Sequence, residues 1–220
     1  MRKRLLRLKD KCLNIRKATV IASEDLVFTQ QLRPSAKDIS TYLSVLPSLE
    51  EVRIIGVGIS KDQTIHKLLA TCGHIQRLYI FSLNTLNFQY AALPPHNALE
   101  LLFLEINGLF VGNNLQILLN QTLSKLHSLR YLLLKFAKGR HPRVNTLKAF
   151  FAARTELRWL VVVFKEDEKV LLCHADEASR NCPTIIKDTK FRLRNLIHTY
   201  PELYDIFWKE FLNFSNILLH

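Results

Sequence analysis

The chain repeats one apolar pattern, L-x-x-L-x-L, at near-regular intervals. It occupies Leu49/Val52/Ile54, Ile75/Leu78/Ile80, Leu99/Leu102/Leu104, Leu129/Leu132/Leu134 and Leu157/Leu160/Val162. Successive windows start 26, 24, 30 and 28 residues apart. A chain rich in aliphatic residues produces isolated windows of this kind by chance, so the weight lies in the spacing, which is that of a structural repeat. Within each window the last two slots alternate with period two, the mark of a strand with one face turned inward.

The intervals carry a different period. Ile39, Tyr42 and Leu43 fall at helical spacing within Ser35 to Val45, with Ser35 after Pro34 as the N-cap. The same spacing joins Ile65, Leu68 and Leu69 within Ser60 to Thr71, and Leu115, Leu118, Leu119 and Leu123 within Asn114 to Lys125. Val144, Leu147 and Phe151 repeat it within Val144 to Arg154. Ser82 to Asn97 differs, since Pro94-Pro95 and the asparagines predict an irregular or 3₁₀ return. Strand and helix in alternation predict an α/β solenoid of about five to six units, with parallel strands on a concave face and helices on the convex one.

The windows are introduced by Leu46-Pro47-Ser48-Leu49, Cys72-Gly73-His74-Ile75 and Leu126-His127-Ser128-Leu129, and a further junction reads Cys182-Pro183-Thr184-Ile185. These resemble the Cys-Pro-x-Leu helix-to-strand junction of the irregular leucine-rich repeats in F-box/leucine-rich-repeat proteins. The repeat spacing lies within or just beyond the about 20–29 residues of that repeat class. The resemblance covers residues 35 to 190. It implies a horseshoe leucine-rich-repeat solenoid and a substrate-recruiting receptor for a cullin-type ubiquitin ligase, with a ligase adaptor as a second partner. Two features depart from the family. The Asn or Cys that follows the strand there gives way to Val57, Leu83, Ala137 and Lys165, Asn107 alone matching. No F-box is recognisable upstream, where residues 1 to 34 are few and basic. Pro201-Glu202-Leu203 with Ile206-Phe207 and Phe211-Leu212 is similar to the opening of an F-box. With Phe214, the same stretch reads as an amphipathic helix that caps a last repeat. The expected organisation is a basic N-terminal arm and cap over 1–34, repeats over 35–190 and a helical C-terminal cap over 191–220.

In such units the slot residues face the core and their alternating neighbours face out. Those neighbours are Glu51, Arg53, Ile55; Arg77, Tyr79, Phe81; Leu101, Phe103, Glu105; Tyr131, Leu133, Lys135; and Trp159, Val161, Val163. Their aromatic and basic members match the Tyr, Trp and Arg enrichment of binding hot spots. Arg53, Arg77, Tyr79, Phe81, Phe103, Glu105, Tyr131, Lys135 and Trp159 are therefore the candidate protein-binding residues, the basic ones suited to acidic or phosphorylated partner side chains. Were this face covered, Tyr79, Phe103, Tyr131 and Trp159 would be core instead, and the apolar Leu133, Val161 and Val163 speak for that alternative.

Composition fits a leucine-built, soluble binding scaffold: 48% of residues are apolar, and Leu supplies 40 of the 220. The net charge is +12, yet residues 1 to 20 hold eight Lys and Arg against Asp10 alone. A basic arm on a mildly basic body leaves two other function classes open: binding of nucleic acid or an anionic surface through Met1 to Lys17, and a plain structural scaffold. The long uncharged stretches are interrupted by Pro94, Pro95, Asn113, Asn114 and Asn120 and do not read as membrane spans. No apolar leader appears, so a cytoplasmic or nuclear location is expected.

The chemistry-bearing residues do not converge. Cys12, Cys72, Cys173 and Cys182 form no paired metal motif and read as reduced thiols. Cys173-His174, near Asp176, Glu177 and Cys182, is the densest cluster, but adjacent residues of a helix diverge by about 100°. There is no Gly-rich phosphate loop and no nucleophile elbow, and the eight His scatter. The chain is read as a non-enzyme without cofactor or metal.

Overall fold

The computed structural model describes residues 14–21, 36–55, 63–84, 93–110, 112–139, 144–164 and 169–174. Each apolar window supplies a strand: β2 (Glu51–Ile55), β3 (Arg77–Asn84), β4 (Leu101–Phe110), β5 (Tyr131–Gly139) and β6 (Trp159–Phe164). They are flanked by β1 (Lys17–Ile21) and β7 (Lys169–His174). These strands form one seven-stranded sheet in the order of the sequence. β1 to β6 run parallel, and β7 turns back antiparallel to β6. Helices α1 (Ala36–Ser44), α2 (Gln63–Thr71), α3 (Gly112–Ile117) and α4 (Val144–Ala152) occupy connections, α3 passing into a π turn over Leu118–Thr122.

Parallel neighbours require a crossover, and crossovers are right-handed almost without exception. Taken in one direction along a sheet, they place the connections on one face. The packing agrees. Ile39, Leu43, Ile65, Leu68, Leu115, Leu119, Leu147 and Phe151 from the helical segments share a core with Val52, Ile54, Leu78, Ile80, Leu102, Leu104, Leu132, Leu134, Leu160 and Val162 from the strands. The slot residues thus face the helices, and the parity read from the pattern sets the sheet's orientation.

A backbone ladder repeats at every parallel step. The carbonyl of Arg16 accepts the N–H groups of Glu50 and Glu51, and that of Glu50 accepts those of Gln76 and Arg77. Gln76, Glu100 and Arg130 do the same for the pairs Glu100/Leu101, Arg130/Tyr131 and Arg158/Trp159, all at 2.8–3.1 Å. A second ladder caps the helix-to-strand junctions. His74 Nε2 meets the carbonyl of Leu46 at 3.1 Å, and His96 Nε2 that of Cys72 at 3.0 Å. Ser128 Oγ donates to the carbonyls of His96 and Leu99, and Arg154 donates to those of Leu126 and Leu123. Since Leu99 N donates to His96 Nδ1 at 3.1 Å, His96 Nε2 is the nitrogen that donates to the Cys72 carbonyl.

Several expectations need correction. Within the segment read as a basic arm and cap, Lys17–Ile21 form β1, which pairs with β2. β1 escaped the template because its middle slot is Ala18, in the series Ile15/Ala18/Val20. Tyr42, expected inward, is 41% exposed, because α1 buries Ile39, Ser40 and Leu43 instead. Cys173 and His174 lie on strand β7, paired with Leu160 and Trp159, not on a helix. Of the irregular return expected over Ser82 to Asn97, residues 82–84 belong to β3, while residues 93–97 contain neither helix nor strand as expected. The junction at Cys182 and the cap over 191–220 lie outside the described residues.

Candidate functional site

The second face of the sheet carries the residues singled out by parity, and the register lines them up in rows. Lys17, Glu51, Arg77, Leu101, Tyr131 and Trp159 form the row at the strand starts. Thr19, Arg53, Tyr79, Phe103, Leu133 and Val161 form the next. The nine candidates therefore share one face, but not one environment.

Over β3 to β6 most of the described side chains on that face are buried, Arg77 at the start of β3 being exposed. Tyr79, Phe81, Phe103 and Trp159 are buried, as are Leu101, Leu133, Val161 and Val163, while Tyr131 is half-buried. The expectation of a solvent-presenting aromatic strip does not hold for these four aromatics. The physical reason is visible in their strands: Leu101-Leu-Phe-Leu, Tyr131-Leu-Leu-Leu and Trp159-Leu-Val-Val-Val are continuous apolar runs, the composition of parallel strands buried on both faces. Phe103 packs against Tyr79 and Phe81 with ring centroids 6.2 and 4.8 Å apart. Such tilted pairs contribute about 0.5–1.5 kcal/mol beyond their buried area.

Glu105 and Lys135 stand directly opposite each other on β4 and β5 and form a 2.6 Å ion pair, each side chain 13% exposed. Both are therefore positioned for register: a slip by one residue would bury each charge without its partner.

Toward β1 the face becomes charged. Glu51 is only 3% exposed. Its Oε1 accepts from Arg53 Nε at 2.9 Å and Nη2 at 2.6 Å. Its Oε2 is shared by Lys17 Nζ at 3.4 Å and Arg77 Nη1 at 3.8 Å. The Arg53 guanidinium also lies 5.3 Å from the centroid of the Tyr79 ring, a cation–π contact that joins the charged end to the aromatic interior. Arg16 pairs with Glu50 at 3.7 Å beside this cluster. Parity named Arg53 and Arg77 but passed over Glu51 and Lys17 as site residues. Relaxing the template to admit Ala at the middle slot would have placed Lys17 in the same row as Glu51 and Arg77.

The helix-side core holds other polar chemistry, none of it convergent. Burial pushes the Cys72 thiol above its ordinary value, against a smaller downward pull from Thr71. Burial likewise lowers the Arg154 guanidinium, which lies 4.9 Å from the Phe150 ring. Among the described residues no group of three or more His, Cys, Asp and Glu is placed to hold a metal ion. No helix among them is long and apolar enough to cross a membrane. No family model, curated protein or solved structure matches the chain.

Proposed function

We propose that the chain is a protein-interaction module of leucine-rich-repeat type whose partner surface is the charged end of the sheet, over β1 to β3. Sequential parallel strands, helices packed on one face and a recurring strand-start ladder support the repeat reading. The buried second face over β3 to β6 departs from an open horseshoe, and this moves the partner surface away from Tyr79, Phe103 and Trp159. The observation that carries the proposal is the exposure of Lys17 and Arg77, 69% and 56% at their side chains, around a carboxylate fixed in the sheet. Positioned, solvent-reaching charges are what recognise a partner and set its register.

By its junction motifs the sharper form of this reading is the substrate-recruiting part of a receptor for a cullin-type ubiquitin ligase. Affinity capture with the tagged chain tests both levels, using Lys17→Gln/Arg77→Gln as the control. We expect a partner that survives nuclease treatment and is lost with the double variant, and a ligase adaptor in the captured set supports the receptor form. Salt-labile, nuclease-sensitive capture would move the function to the basic arm instead.

A further inference from the structure

We infer that the outer edge of β1 is a strand-addition site for an extended segment of the protein partner, laid parallel to β1 with two successive acidic residues beside Arg16 and Lys17. This rests on the reading of the charged end as the partner surface and adds how the partner is held there.

The backbone comes first. β1 ends the sheet, and among the described residues it pairs with β2 alone. At each later parallel step, one carbonyl of the preceding unit accepts two successive N–H groups at the strand start. Arg16 and Lys17 stand where Glu50 and Glu51 stand one step on, yet among the described residues no carbonyl accepts from them. In a parallel strand the N–H and C=O of one residue point to the same side, and the side alternates along the chain. The Arg16 carbonyl is directed at Glu51, so Ala18 and Val20 bond toward β2, while Lys17, Thr19 and Ile21 aim their N–H and C=O groups away from the sheet. Such a row of backbone donors and acceptors is a template for one more strand.

The side chains say what that strand contains. Charge alternates across the strand starts, with Glu51 between Lys17 and Arg77, and Arg16 beside Glu50 one residue earlier. An acidic pair on the added strand continues both rows, whereas a basic pair sets like charges opposite each other. Arg16 and Lys17 are 72% and 69% exposed at their side chains and free to turn to a neighbour on the open side. Farther along, Ala18 and Val20 are only partly buried and Ile15 is 37% exposed. The corresponding Val52, Ile54, Leu78 and Ile80 are fully buried, each between two neighbouring strands. Apolar residues beside Ala18 and Val20 take the remaining surface out of water. From Arg16 to Val20, the added segment therefore reads acidic, acidic, apolar, any residue, apolar.

The test is fluorescence anisotropy of the labelled peptide Asp-Glu-Val-Thr-Val-Thr with the full-length chain. We expect binding that weakens by about tenfold or more when Asn-Gln replaces the acidic pair. Methyl groups on both Val nitrogens, which donate to the Lys17 and Thr19 carbonyls in this register, should abolish it. Methyl groups on the Glu and inner Thr nitrogens, which face away, should not. Thr19→Pro removes an outward donor and no bond to β2, so the variant should melt with the parent and lose the peptide. Hydrogen exchange at the Thr19 and Ile21 amides should be fast in the free chain and slow with peptide. Exchange already slow in the free chain would show the edge filled and overturns the inference. So do absence of binding, equal binding of the Asn-Gln or the reversed peptide, and indifference to the Val methyl groups. Affinity capture separates this idea from its parent: a partner lost with Lys17→Gln/Arg77→Gln but kept by Thr19→Pro leaves the interaction module standing and removes strand addition.

Discussion

At the scale of single residues, the aromatic side chains of the second face decide between core and surface, and the structure gives each a distinct expectation. Trp159 is 2% exposed, so Trp159→Ala should lower unfolding stability by about 3–5 kcal/mol, the usual result of emptying a large buried site. Chemical denaturation measures this directly. His96 gives a second case, since its ring accepts from Leu99 N and donates to the Cys72 carbonyl. His96→Leu keeps a similar side-chain volume but strands the Leu99 N–H and the Cys72 carbonyl. Each group so stranded costs about 1–3 kcal/mol, and the denaturation midpoint should fall without a change in slope. Cys72 is the third. Its folded value lies above the ordinary one, so the protonated thiol favours the fold and that contribution is lost as pH rises beyond the ordinary thiol range. The alkaline limb of stability against pH should be shallower in Cys72→Ala. In the native protein, peptide mapping after alkylation at neutral pH should find Cys72 unmodified.

At the scale of elements, the pairing of β4 with β5 is where charge and register meet. Lys135→Met leaves Glu105 nearly buried opposite an apolar side chain, at a cost of about 3–5 kcal/mol, whereas Glu105→Leu/Lys135→Met should regain most of it. A double-mutant cycle in denaturant checks this, and equal losses in single and double variants would remove the pair from the account of register. The strands themselves were legible because Leu, Ile and Val fill the inward slots of β2 to β6. The helices were legible where two or three apolar residues recur at helical spacing, as with Ile65, Leu68 and Leu69. β1 was not legible because Ala18 breaks the template, and β7 was not because a repeat pattern predicts another parallel step, not a hairpin. The sharing of Ser128 between the His96 and Leu99 carbonyls left no signal in the sequence, since a junction Ser is compatible with many loops.

At the scale of the whole molecule, parity correctly named which residues share the second face but could not say what lies over it. Period two distinguishes one face from the other; only the unbroken apolar runs of β4 to β6 hint that both are interior. The candidate site was legible in part for the same reason. Glu51, Arg53 and Arg77 were visible as outward neighbours, while Lys17 was counted with the basic arm until register placed it in the row.

The aromatic residues Tyr79, Phe81, Phe103 and Trp159 are interior, and the proposal of the charged end as the partner surface depends on that. Trp159 reports on it once Trp208→Phe makes it the single tryptophan. We expect blue-shifted native emission and strong protection from acrylamide quenching, both lost together on unfolding. Red-shifted emission quenched in the native chain as readily as in the unfolded one would show an open aromatic face and return the binding surface to Tyr79, Phe103 and Trp159.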